Sequence, residues 1–118
     1  MCKLFKKKAS EIKRLIPPMG YCFATNLITV SGEKVGYMYR EMPAKDKAQD
    51  SGWRFFSGEE TDEYANDSKN VSMYEVNTIA NYDPDIIPLV DSNYGVAFGR
   101  DVKTGKFVKE DFHPLQDE

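Results

Sequence analysis

The sequence predicts an α+β domain: a mostly antiparallel sheet of about five strands with short helices packed on one face. Three observations point there. Apolar and polar residues alternate with period two in several short runs, each closed by Gly, Pro or Asn/Asp-rich turns. Helix-start signals fall between those runs. Seven Phe, seven Tyr and one Trp in 118 residues supply the ring-rich side chains that a sheet core favours.

Taken in order, residues 1–18 read as a basic amphipathic helix. Phe5, Ala9, Ile12 and Ile16 share a face, and Pro17-Pro18 ends it because neither residue can continue the ladder of hydrogen bonds. Such a helix could dock on a membrane surface or a partner. With so few large apolar residues, packing on the domain's own sheet is the preferred reading, and no stable membrane association is expected. The domain proper spans residues 19–110. Tyr21, Phe23 and Thr25 alternate with Cys22, Ala24 and Asn26, and the run continues through Leu27, Ile28 and Val30 to the turn Ser31-Gly32-Glu33-Lys34. Val35, Tyr37 and Tyr39 then alternate with Gly36, Met38 and Arg40, so a β-hairpin is expected here. Arg40 is a candidate to pair with a carboxylate.

A polar loop over residues 42–51 leads into a third strand at Gly52-Trp53-Arg54-Phe55-Phe56. Ser57 and Glu60 have the S-x-x-E spacing of a capping box, so a helix is expected to begin near Ser57, with Glu59, Glu60 and Asp62 at the positive end of its dipole. Ser72 and Glu75 repeat that spacing ahead of Val76, Ile79 and Ala80, and Asp83-Pro84-Asp85 restarts a helix that Pro88 limits to about one turn. Ile79, Ile86, Ile87 and Leu89 are expected to face inward. Tyr94, Val96 and Phe98 give a fourth strand, and Lys103-Thr104-Gly105-Lys106 turns the chain into a fifth around Phe107 and Val108. Residues 111–118 are expected to form a flexible tail.

Charge narrows the function classes. The net charge of −3 hides six basic residues against one acid in residues 1–16, a net +5 that leaves −8 for the rest. A body that acidic repels phosphate backbones, which argues against nucleic acid, and it speeds encounter with a basic partner. Acidity also simply keeps a protein soluble. Cys2 and Cys22 form no disulfide framework, and no apolar run of signal-peptide or membrane-spanning length is present, so a cytoplasmic location is expected.

Motifs for chemistry are absent. The single His, His113, lies in the tail; Cys22 alternates within a core strand; Asp83-Pro84-Asp85 has Ile87 and Pro88 where a calcium loop needs an oxygen ligand and a Gly. Gly105-Lys106 lacks the upstream Gly of a phosphate loop, since position 100 is Arg100. No enzyme activity, metal or cofactor is expected.

The blocks Gly52-Trp53-Arg54-Phe55 and Asn77-Thr78-Ile79-Ala80-Asn81-Tyr82-Asp83-Pro84, with the surrounding residues 19–100, resemble a bacterial family first catalogued as a domain of unknown function and later grouped as immunity protein family thirty-three of polymorphic-toxin systems. The resemblance implies a small cytosolic antidote that binds and neutralises a cognate toxin. It brings no catalytic residues with it. From the residues themselves, the partner-binding candidates are Glu59, Glu60, Asp62 and Glu63, with Trp53 as a possible anchor. The same acids also suit a solvated, well-capped helix start, and Trp53 suits a core. Asn77 and Asn81, four apart, either bind a ligand or, as the preferred reading, satisfy backbone groups at the bend before Asp83. The other function class open to the sequence is a housekeeping module holding a small ligand or peptide between the sheet and the helices of residues 72–92.

Overall fold

In the computed structural model, which describes residues 12–43, 45–46 and 49–110, the described residues form one mixed six-stranded sheet with short helices. Strands β1 (Tyr21–Thr25), β2 (Tyr37–Arg40), β3 (Asp50–Phe56), β4 (Val71–Glu75), β5 (Val96–Arg100) and β6 (Phe107–Glu110) lie in the order β4-β1-β3-β2-β5-β6. The α+β class holds, with six strands rather than five. Every neighbouring pair is antiparallel except β1 and β3, which run parallel. The helices are α1 (Asn26–Thr29), α2 (Asp62–Ala65) and α3 (Val76–Tyr82), with 3-10 turns at Ser68–Asn70 and Pro84–Leu89.

The expected hairpin of β1 with β2 does not form, because β3 lies between them. Alternation stops after Thr25. Leu27 and Ile28 are consecutive apolar residues, and a turn of helix lets Ile28 and Thr29 both be buried where a strand would send one of them outward. The sequence also read residues 72–75 as a helix start, whereas they belong to β4. Glu75 is the residue before α3 but makes no capping bond; it pairs instead with Arg14 at 2.7 Å. The hairpin between β5 and β6 forms as expected, with Asp101 and Lys106 closing the turn and Gly105 at φ 73°.

Cross-strand register sorts the side chains. Cys22, Ala24, Met38, Trp53 and Phe55 point to the face covered by α1, α3 and the 3-10 turn at Pro84–Leu89, where Ile28, Val76, Ile79, Ala80 and Ile86 are fully buried. Burying a large apolar side chain is worth ~1.5–3 kcal/mol each, so this layer carries much of the stability. Ile79 and Ile86 face inward as expected, and Ile87 and Leu89 pack partly buried against the same cluster. Phe23, Tyr37, Tyr39, Arg54 and Phe56 occupy the opposite face, crossed by the short α2, whose Ala65 lines a cavity of about 170 Å³ with Phe23, Thr25 and Val71. No helix among the described residues is long and apolar enough to cross a membrane.

Most of the expected N-terminal helix, and the whole tail 111–118, lie outside the described residues. The last turn of that helix, residues 12–16, is not helical. Its backbone is held by α3 instead. Asn77 Oδ1 accepts from the amides of Leu15 (2.7 Å) and Ile16 (3.1 Å), its Nδ2 donates to Lys13 O (2.8 Å), and Asn81 Oδ1 accepts from Lys13 N (3.0 Å). The spacing of four did mark a pair serving backbone groups, but those of a distant segment. Ile16, only 6% exposed, completes this strap by entering the core.

Candidate partner-binding site

The segment between β3 and α2 is a loop, where the sequence predicted a helix from Ser57. Gly58 has φ 96°, a left-handed conformation that interrupts any helix there. The helix begins at Asp62, with Thr61 as its cap: Thr61 Oγ1 accepts from Tyr64 N at 3.0 Å. Half of the expected capping box survives without the helix. Glu60 reaches back so that its carboxylate accepts from Ser57 N (2.8 Å), Gly58 N (2.9 Å) and the hydroxyl of the fully buried Thr25. Burial alone would raise the Glu60 carboxyl, but the Thr25 hydroxyl and the loop amides outweigh it, so the group titrates below the ordinary carboxylate range. Glu60 therefore remains an anion that ties the loop to β1.

Around this knot stand the other acids. Glu59, Asp62 and Glu63 are exposed. None of them, nor Glu60, forms a salt bridge among the described residues. Glu33 joins them from the far side of the loop. Burial, Glu60 and Glu33 together push the Tyr64 phenol up, which places both carboxylates near that ring. The loop is a ridge between two grooves. One, about 240 Å³, has Tyr37, Phe56 and Ala65 beside Glu60 and Asp62; the other, about 550 Å³, is open and lined by Leu27, Glu33, Glu59 and Tyr64.

Trp53, the anchor candidate, is fully buried. Its Nε1 donates to Val90 O at 2.8 Å and its ring stacks on Phe55, so it offers no surface to a partner. Arg40 pairs with no carboxylate among the described residues. It donates to Ser51 O and Ser92 O and lies over the Tyr94 ring at 4.4 Å. Sequence reasoning missed Glu33, Tyr37, Phe56 and Tyr64 as neighbours of the acidic segment. Alternation had put Tyr37 and Phe56 in strands; only the β2–β3 register, which pairs them, shows that they share a face.

Cys22 is completely buried, and burial pushes its thiol well up, only partly opposed by Arg54, so Cys22 offers no thiolate nucleophile. Among the described residues no group of three His, Cys, Asp or Glu side chains could hold a metal ion. Between the sheet and the helices of residues 72–92, Val76, Ile79, Ala80 and Ile86 are packed into the core, and a groove of about 300 Å³ remains where Asp85, Pro88 and Leu89 face Arg100 and Phe107.

A family model described as the immunity protein Imm33 domain matches residues 22–111, most of the chain. The chain belongs to that family. The Imm33 match covers the six strands, apart from Tyr21 at the start of β1, and the acidic loop, and it begins after the strap. No curated protein and no solved structure matches the chain.

Proposed function

We propose that this domain is a non-enzymatic antidote that acts in the cytosol by binding and neutralising a cognate, basic bacterial toxin. Membership of the Imm33 immunity family carries the reading. The proposed contact surface is the ridge bearing Glu59, Glu60, Asp62 and Glu63, together with Glu33. Support comes from charge left unanswered within the fold: the exposed ridge acids have no cationic partner among the described residues. Exposed like charges of this kind accelerate encounter with an oppositely charged protein and repel nucleic acid.

The test has two stages. Tagged protein is used to capture its partner from the native bacterium at low and moderate salt, and the captured protein is then produced in cells with and without this chain. A basic partner that is toxic alone and harmless with the chain supports the proposal. A captured partner whose toxicity is unchanged by the chain sinks it. Glu59→Lys, Asp62→Lys and Glu63→Lys combined should weaken capture and flatten its salt dependence; unaltered affinity would move the contact away from the ridge.

A further inference from the structure

The strap and β1 form one arm that runs along a single neighbour. β1 pairs antiparallel with β4, with Tyr21 opposite Glu75, and Gly20 O accepts from Val76 N at 3.2 Å. Before that point the arm lies on α3, where side-chain carboxamides take over from strand pairing. Asn77 Oδ1 accepts from the Leu15 and Ile16 amides and its Nδ2 donates to Lys13 O; Asn81 accepts from Lys13 N and also donates to Lys13 O at 2.9 Å. Four helical positions and two extended ones cover nearly the same length, about 6–7 Å, so two asparagines one turn apart can follow an extended backbone. Asn81 on Lys13 and Asn77 on Leu15 have that spacing.

These bonds all go to the strap's backbone. Lys13, Arg14 and Leu15 are exposed, and Ile16 is the side chain that enters the core. Asn77 is itself only 2% exposed, so an empty α3 face would leave a buried carboxamide unsatisfied. The face is therefore shaped for an extended peptide with a branched apolar residue ahead of a proline.

The connection from strap to β1 is longer than its closed path needs. Asn77 holds Ile16 and the adjacent Val76 holds Gly20, so neighbouring positions of the domain fix points four residues apart in the arm. Pro17, Pro18 and Met19 are gathered in as slack, and Gly20 returns the chain to β1 at φ 100°. Two prolines favour an extended run of about 3.1 Å per residue and resist that gathering. We propose that the Asn77–Asn81 face of α3 receives, in trans, the strap of a second copy. The slack straightens, two chains exchange straps reciprocally, and a two-fold dimer forms. Every strap bond made within one chain is remade between copies, so the hinge and the protein concentration set the balance. A foreign segment would instead have to displace a strap tethered at an effective concentration on the order of millimolar.

The test is sedimentation equilibrium of the full chain from micromolar to millimolar concentration, with isotope-filtered NMR on labelled and unlabelled chains that were unfolded and refolded together. Expected are a dimer fraction that rises with concentration and intermolecular NOEs between the Leu15 and Ile16 amides of one copy and the Asn77 side chain of the other. Pro17→Gly combined with Pro18→Gly keeps every docking contact and lets the slack fold back freely, so it should lower the dimer fraction severalfold. Ile16→Asp should abolish the dimer; the hinge variant and the NOEs decide the matter even where that chain folds poorly. A single-chain mass at every concentration, a dimer without those NOEs, or a dimer fraction unchanged by the hinge variant each overturn the proposal. The antidote reading is tested separately, by the capture and toxicity assays.

Discussion

Two sets of carboxylates divide this molecule. Asp50, Asp83, Glu41 and Asp85 are answered inside the fold by Arg54 and Arg100, at distances of 2.7–2.9 Å. Glu33, Glu59, Asp62 and Glu63, on and beside the loop before α2, are answered by no cation of the described residues. The first set is woven into the architecture. Asp83 is 2% exposed, accepts from Val35 N at 2.9 Å, caps the 3-10 turn through Asp85 N at 3.1 Å, and holds Arg100. The second set touches little and could be removed without unpairing anything buried. Charge that folding does not use is charge available to a partner, and that distinction could not be drawn from the count of acids alone.

The sharpest way to break the comparison is Asp83→Ala, which leaves the half-buried Arg100 with Asp85 as its one carboxylate among the described residues and takes the acceptor from the buried Val35 amide. We expect a loss of about 3–5 kcal/mol in urea unfolding. A loss below ~1 kcal/mol would mean that the answered acids are not structural. Asn77→Ala sharpens it from the neutral side by releasing two backbone amides of the strap, Leu15 and Ile16, while Lys13 O keeps its bond from Asn81. About 2 kcal/mol should be lost, largely independent of salt, and the Leu15 and Ile16 amides should exchange hydrogen faster.

Glu60 belongs to both sets, being acidic, at the ridge, and anchored. Glu60→Gln should cost ~1 kcal/mol at neutral pH. Because folding lowers the Glu60 pKa below the ordinary carboxylate value of 4.5, its contribution is present above that value and is lost as pH falls through the folded pKa. The gap between wild type and Glu60→Gln should therefore narrow on acidification in pH-dependent unfolding curves; a constant gap would count against an anionic knot. The smallest effects belong to the open acids. Glu59→Lys, Asp62→Lys and Glu63→Lys should each change stability by under about 0.5 kcal/mol, with Asp62 and Glu63 the larger because they occupy the first turn of α2. A larger loss at Glu59 would place it among the structural acids.

Local patterns were legible where neighbours in sequence are neighbours in space. The β5–β6 turn, the paired helices around Asp83-Pro84, and the inward Ile79 and Ile86 could all be read directly. Misreadings arose where a distant residue decided the outcome. Residues 12–16 have helical spacing, yet their amides are taken by Asn77 and Asn81, more than sixty positions away. Ser72 and Glu75 fit a capping box, but pairing of β4 with β1 overrides that local preference. At the candidate site the acids were visible as a cluster. Glu33 and the two rings were not, because register and burial bring them there.

The position of β1 has a consequence for the timing of synthesis. It is the first strand of the described residues, yet it ends up between β3 and β4, and its parallel pairing with β3 needs a long excursion through β2. Residues emerging from a ribosome can offer β1 no partner before Asp50 and no second partner before Val71, while β2 keeps an open edge until β5 appears at Val96. Until then Phe23, Phe55 and Trp53 line an unfinished sheet whose non-local pairing is slow to form. A cell making this protein gains a folded copy of the sheet only after β5 and β6 have been made, so its response to a sudden need is not set by any early-folding fragment.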